Sequence, residues 1–244
     1  MLDLYESNIR VRFFITYLPE QEYGFKAYNL ALSSYTDFWR QIILILKHSK
    51  IYSYDNLIQV LAEVIFTNLL KIENKNILSF RKGKVILSYI PSSWGRRIKG
   101  RNNNYFLAKQ LLLMLRKESV DVALSKLIEF KFFTLSQSGK SDAQRKENRE
   151  NSMIVLEENF PFHNLNISTD KDTKAHFLEK MVFAEEKREP SFSVLEGKTF
   201  IFIEDVITTG ATTNALLKEI GKHITCKDTV LIVSIANVNI QSQM

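Results

Sequence analysis

Two adjacent acids and a loop of small polar residues follow one apolar segment, and these residue types could together bind a phosphorylated sugar. Phe200 to Ile203 are apolar, Glu204 and Asp205 come next, and the loop begins after two further apolar residues. Ionised carboxylates accept hydrogen bonds from the neighbouring hydroxyls of a sugar. A phosphate can be bound by the backbone amides and hydroxyls of the loop residues Thr208, Thr209, Gly210, Ala211 and Thr212. We therefore predict a ribose-phosphate site in residues 204–212.

The elements that must position these groups are indicated by the same part of the chain. The apolar run before Glu204 predicts a buried strand of a parallel sheet, and the apolar residues between 215 and 220 predict an amphipathic helix. The N-terminus of that helix would add free N–H groups and a partial positive charge to the phosphate loop. Gly210 would either let the backbone come close to the anion or take a positive φ that a side chain would penalise, and Thr212 or Thr213 would cap the helix.

The segment from Thr199 to Thr213 resembles the phosphoribosyl pyrophosphate (PRPP) motif of type I phosphoribosyltransferases, from the apolar run to the final Thr-Thr-Gly-Ala-Thr. The resemblance implies an α/β fold with a doubly wound, mainly parallel sheet flanked by helices. It also implies PRPP as the ligand, with the ribose on Glu204 and Asp205, the 5'-phosphate on the loop, and Mg²⁺ held mainly by PRPP. A solvated turn at the end of a strand is the alternative interpretation of the motif. Some members of this fold only sense PRPP, so turnover stays open.

Two further segments are similar to ComF-type competence proteins. Residues 90–108 follow that family's Val-Pro strand end, Arg-Gly-Phe-Asn-Gln segment and Leu-Ala pair, with Lys99 and Arg101 as departures. The family's Gln-x-Gly-Leu and Arg-x-x-Asn stretch is similar to the residues Gln137, Gly139, Arg145 and Asn148. Upstream, Tyr35 and Ile45-Leu46-Lys47 are weakly similar to the family's Tyr and Leu-Lys. The segments occur in the family's order, and the chain therefore resembles a ComF-type protein.

A basic cluster follows the predicted strand Val85 to Ile90, so it should lie at the carboxyl edge of the sheet, where doubly wound proteins bind their ligands. With PRPP as the ligand, the cluster would neutralise the pyrophosphate group. The candidate residues are Arg96, Arg97, Lys99 and Arg101. The alternative interpretation is a solvated basic turn.

Two differences from the family patterns narrow the choice of metal and of substrate that the resemblance implies. Many ComF proteins carry paired Cys-x-x-Cys motifs for zinc, but this chain has a single cysteine, Cys226, so no cysteine zinc site is expected. Purine-salvage members of the fold carry an aspartate as general base where this chain has Thr208. Purine salvage is therefore disfavoured, and no candidate catalytic base is evident.

Two functions of different class follow. The first is transfer of phosphoribose from PRPP to an unidentified nitrogen acceptor, with release of pyrophosphate. The alternative is a noncatalytic competence factor that supports uptake of single-stranded DNA together with DNA-uptake proteins. The formal charge of +6 suits either polyanionic partner and does not discriminate between them.

The organisation of the chain is predicted more coarsely. A chain of 244 residues predicts one main domain, with a mostly helical N-terminal region at 1–75, a phosphoribosyltransferase-like domain at 76–244 and an insertion near 157–190. No membrane span or signal peptide is apparent, which predicts a cytoplasmic location; oligomerisation is left open. Helices are expected at 37–47, 57–71 and 105–117, and strands at 11–17, 85–90, 131–135, 152–156, 199–205 and 228–236.

Overall fold

A mixed α/β arrangement is seen in the computed structural model, which describes residues 14–18, 23–48, 55–74, 78, 83–92, 102–130, 153–156 and 197–238. The strands are β1 Phe14–Leu18, β2 Lys26–Ser34, β3 Val85–Tyr89, β4 Val122–Leu124, β5 Ile128–Phe130, β6 Met153–Val155, β7 Thr199–Ile207 and β8 Thr229–Asn237. The helices are α1 Asp37–His48, α2 Asp55–Asn74, α3 Asn103–Lys117 and α4 Ala211–Ile220.

The main sheet has six strands in the order β1-β2-β8-β7-β3-β4. All neighbours from β2 to β4 are parallel, and only β1 at the edge is antiparallel to its neighbour. A separate antiparallel pair is formed by β5 and β6. The predicted fold class, a doubly wound and mainly parallel sheet flanked by helices, is confirmed.

Both faces of the sheet are covered, as the apolar run in β7 predicted. Ile201 and Ile203 belong to a core shared with α1, α2 and α3, whereas Phe200 and Phe202 belong to a second core shared with α4 and with residues of β5 and β6. Successive side chains of a strand point to opposite faces, so one continuous apolar run supplies both cores.

The N-terminal region contributes strands as well as helices. Within residues 1–75, the described part contains α1 and α2, near the predicted helices, and β1, near the predicted edge strand. It also contains β2, which pairs in parallel with β8 from Lys26↔Thr229 to Ser34↔Asn237. The same region therefore completes the central sheet.

The other strand and helix predictions divide into two groups. β3, β6, β7, β8 and α3 lie where strands and a helix were expected, within a few residues. The predicted strand at 131–135 and the insertion near 157–190 lie outside the described residues. Among the helices that the structure describes, none combines the length and the apolar character needed to cross a membrane.

Candidate functional site

The predicted site lies where β3 and β7 end side by side. The two strands are parallel neighbours from Val85↔Thr199 to Tyr89↔Ile203, and the N–H of Ile90 donates a hydrogen bond to the carbonyl of Ile203 at 2.9 Å. The chain segments that leave these two strands therefore start at the same edge of the sheet.

The strand order reverses between β3 and β7. From β3 the chain passes through α3 to β4 on one side, whereas from β7 it passes through α4 to β8 on the other side. The two helices also pack on opposite faces, since α3 contributes to the first core and α4 to the second. Such a reversal opens a crevice beyond the carboxyl ends of the strands, which is where open α/β sheets bind their ligands.

A left-handed glycine connects the loop after β7 to the start of α4. Gly210 is the N-cap residue of α4 with φ +74°, which confirms the expected positive φ. The N–H of Ala211 donates to Oγ1 of Thr209 at 3.4 Å. Thr208 and Thr209 are exposed, and the first amides of a helix have no acceptor within the helix.

The prediction that Thr212 or Thr213 caps α4 is wrong. The helix begins at Ala211, so both threonines lie in its first turn, and both are buried, with exposed fractions of 7% and 2%. The left-handed Gly210 turns the chain into the helix two residues before Thr212 and three before Thr213. Thr212 thus presents its backbone, rather than an exposed hydroxyl, to the loop.

The two adjacent acids lie on opposite faces of β7. Glu204 has an exposed fraction of 6%, aligns with Ser234 of β8 and follows Phe202 on the α4 face. The side chain of Asp205 is 25% exposed and lies on the face of α1, α2 and α3. The structure therefore brings Asp205, but not the carboxylate of Glu204, to the crevice on that face.

Asp205 is held at both carboxylate oxygens. Its Oδ1 accepts a hydrogen bond from the N–H of Val206 at 2.8 Å, and its Oδ2 lies 3.2 Å from Nζ of Lys47 in α1. Lys47 was predicted only as part of a weak family resemblance and without a role. No local signal could identify its partner, because the contact joins α1 to β7 across the fold.

A small cleft lies beside Asp205 and is lined by residues from several strands and helices. Its lining includes Lys47, Asp205, Ser92 after β3, and Asn103 and Asn104 of α3. Its volume is about 10 Å³, room for about one water molecule. The cleft is therefore too small to enclose a sugar.

The start of α3 is tied to this edge by two asparagine side chains. Nδ2 of Asn103 donates to the carbonyl of Leu46 in α1, and Nδ2 of the buried Asn104 donates to the carbonyl of Ile90 at 2.9 Å. These bonds fix the end of α1 and the end of β3 relative to α3. The sequence indicated these asparagines only as part of a family-like segment.

The remaining predicted site residues fall outside the described part of the chain. These are the pyrophosphate candidates Arg96, Arg97, Lys99 and Arg101, and the family-motif residues Gln137, Gly139, Arg145 and Asn148. The described residues on either side of the basic cluster, Ser92 and Asn102, lie after β3 and before α3. Across the described ranges, no three His, Cys, Asp or Glu side chains are grouped so as to hold a metal ion.

Gly210→Ala is expected to lower the free energy of unfolding by about 1 kcal/mol, because alanine is strained at a positive φ. The strained loop should also bind a phosphate ligand less tightly. Gly24→Ala is the matched control, since Gly24 has φ +76°, has no atom within 4 Å of an added Cβ, and precedes β2 at the other end of the sheet. Urea unfolding should show similar losses for both variants, whereas only Gly210→Ala should weaken ligand binding.

Some solved structures are similar to this chain, but no protein family matches its sequence. No protein-family model and no curated protein matches this sequence. The chain is similar to hypoxanthine phosphoribosyltransferase from Trypanosoma cruzi in complex with the product IMP, at 12% identity and a TM-score of 0.35, covering 75% of this chain and 76% of that chain. An HPRT with an alanine mutation of an invariant aspartic acid gives 12% identity and a TM-score of 0.35, covering 75% and 78%. At these TM-scores the likeness assigns this chain neither a family nor an activity.

Proposed function

We propose that this chain is a ComF-type, phosphoribosyltransferase-like protein that binds PRPP and transfers its phosphoribosyl group to a nitrogen acceptor, releasing pyrophosphate. The observation that carries the proposal is the reversal of strand order between β3 and β7, with Asp205 and the Thr208–Thr212 loop at the end of β7. A sugar phosphate needs an anion site and a hydroxyl acceptor within a few ångströms, and these two groups are separated here by only two residues.

The 5'-phosphate would bind at the N-terminus of α4. The backbone amides of the first turn and the accessible Thr208 and Thr209 hydroxyls offer hydrogen-bond donors, and the helix adds a partial positive charge. Gly210 leaves open space around its Cα, because an added Cβ would meet no atom within 4 Å. A phosphate can therefore approach the backbone closely.

The ribose hydroxyls would bind to Asp205. Its carboxylate lies at the cleft, and each oxygen keeps acceptor capacity beyond its contact with Val206 or Lys47. Glu204 lies buried on the α4 face, so its predicted contact with the same hydroxyls would require the side chain to leave that position. Asp205 is accordingly the main ribose residue of the proposal.

The proposed reaction is a displacement at the anomeric carbon of PRPP. The acceptor nitrogen forms a bond to this carbon, and the bond from the carbon to the pyrophosphate oxygen breaks, with its electron pair leaving on pyrophosphate. The chain would contribute positioning through the phosphate loop and Asp205, and charge compensation through Arg96, Arg97, Lys99 or Arg101. Mg²⁺ would enter with PRPP, held mainly by substrate oxygens and water, which suits a site whose described residues line the cleft with one carboxylate, that of Asp205.

Thermal unfolding with PRPP and Mg²⁺ tests the binding half of the proposal. At a hundred times the dissociation constant, a ligand adds about 2.7 kcal/mol of stability, which should raise the melting temperature by about 5–10 °C. Ribose 5-phosphate and pyrophosphate with Mg²⁺, at the same concentration, should give smaller shifts because each fills half of the site. A wild-type protein that PRPP does not stabilise would overturn the proposal.

Release of pyrophosphate tests the transfer half. Incubation with PRPP, Mg²⁺ and a panel of nitrogen nucleophiles should release pyrophosphate above the rate without acceptor for at least one compound class. Binding without release would reduce the proposal to a PRPP-binding protein. Tight binding of single-stranded DNA that falls steeply with salt, without stabilisation by PRPP, would favour the competence-factor alternative instead.

A further inference from the structure

The side chain of Lys47, which lies outside the phosphate loop, contacts Asp205, the proposed ribose-binding residue. Nζ of Lys47 lies 3.2 Å from Oδ2 of Asp205, and their side chains are only 22% and 25% exposed. Both residues line the cleft at the end of β7. The pair is therefore part of the site surface, and its partial burial strengthens it relative to a fully solvated ion pair.

The backbone that carries Lys47 is firmly anchored. Trp39, Ile43 and Leu46 on α1 are buried against the sheet. The carbonyl of Leu46, the residue before Lys47, accepts the hydrogen bond from Nδ2 of Asn103. The lysine therefore emerges from a fixed point of the backbone beside Asp205.

The two contacts of Asp205 orient its carboxylate. Val206 donates to Oδ1 and Lys47 faces Oδ2, so rotation of the carboxylate about its Cβ–Cγ bond would break both contacts. PRPP is a polyanion, and an uncompensated carboxylate at the site would repel it. Lys47 offsets that charge while it leaves lone pairs of Asp205 available to hydroxyl groups.

We propose that Lys47 is a positioning residue of the ligand site, which holds Asp205 in the orientation and charge balance that the ribose hydroxyls of PRPP require. This inference rests on the proposed function. It makes α1, from the N-terminal region, a component of the site, and it assigns the effect of Lys47 on binding to Asp205 rather than to a contact with phosphate.

Calorimetric titration of PRPP with Mg²⁺ into Lys47→Met, Lys47→Arg and wild type tests the inference. Loss of the charged partner should weaken binding about tenfold, whereas arginine, which keeps the charge, should stay within about threefold of wild type. Lys71→Met is the control, because Lys71 is an exposed lysine near the end of α2 and lies outside the lining of the cleft. It should bind PRPP as wild type does.

The double variant separates positioning from direct contact. In an Asp205→Ala background, Lys47→Met should cause less than about a twofold further loss, because coupled residues do not act additively. If the losses of affinity from the two substitutions multiply in the double variant, Lys47 contacts PRPP itself, and the positioning role is overturned. Wild-type affinity in Lys47→Met would also overturn it. These results differ from failure of the proposed function, in which wild type itself binds no PRPP and both proposals are overturned.

Discussion

Replacing Asp205 with alanine is expected to weaken the binding of PRPP with Mg²⁺ about 100-fold, because two charge-assisted hydrogen bonds to the ribose hydroxyls are lost. The carboxylate is the acidic group that the structure brings to the cleft beside the end of β7. Isothermal titration at constant salt measures the change. The variant should keep the heat of binding for inorganic phosphate if the phosphate loop acts independently of the acid.

Asp121→Ala is the matched control for this variant. Asp121 is exposed and immediately precedes β4, so it lies at the amino end of the sheet, opposite the proposed site. Its loss should leave PRPP affinity unchanged. If Asp205→Ala and Asp121→Ala weaken binding equally, or if neither does, Asp205 is not the ribose residue. Circular dichroism of each variant checks that the loss does not come from unfolding.

Replacing Phe202 with alanine is expected to lower the free energy of unfolding by about 3–5 kcal/mol, the range for deletion of a fully buried aromatic ring. Phe202 has an exposed fraction of 0% and belongs to the core between β7 and α4. The cost combines the lost transfer free energy of the ring and the cavity that it leaves. Urea unfolding measures this loss, and the slope of the free energy of unfolding against urea concentration should stay unchanged.

Phe38→Ala provides the comparison for the same chemical change on the surface. Phe38 is 46% exposed and makes an edge contact with Trp39 at a centroid distance of 5.5 Å. Its loss should cost about 1 kcal/mol or less. Equal losses at Phe38 and Phe202 would contradict the placement of Phe202 in a close-packed core.

The sequence predicted the part of the site whose residues lie close together in the chain. The apolar run of β7, the acids after it, Gly210 and the apolar positions of α4 lie within one short segment, and each follows from periodicity or backbone preference. Their geometry agrees with the prediction at the strand, at the loop and at the positive φ of Gly210. The exceptions are the cap, where a glycine rather than a threonine precedes the helix, and Glu204, which is buried and does not line the cleft.

The parts that were missed depend on distant partners. β2 reads Lys-Ala-Tyr-Asn-Leu-Ala-Leu-Ser-Ser, which has no β-branched residue, and it is a strand because β8 and β1 pair with it on both sides. Lys47 likewise acquires its partner only when α1 packs beside the end of β7. Neither the residue types nor their local conformational preferences specify which distant segments come into contact.

By itself, the amino-acid sequence of this protein determined a buried strand, an acid pair, a glycine-containing loop and a helix in that order, since these depend on side-chain spacing and backbone conformation within a few residues. Tertiary structure alone decided that β3 lies next to β7, that Asp205 rather than Glu204 lies at the cleft, and that Lys47 joins Asp205. These are contacts between segments far apart in the chain, and packing of helices on both faces of one sheet sets them.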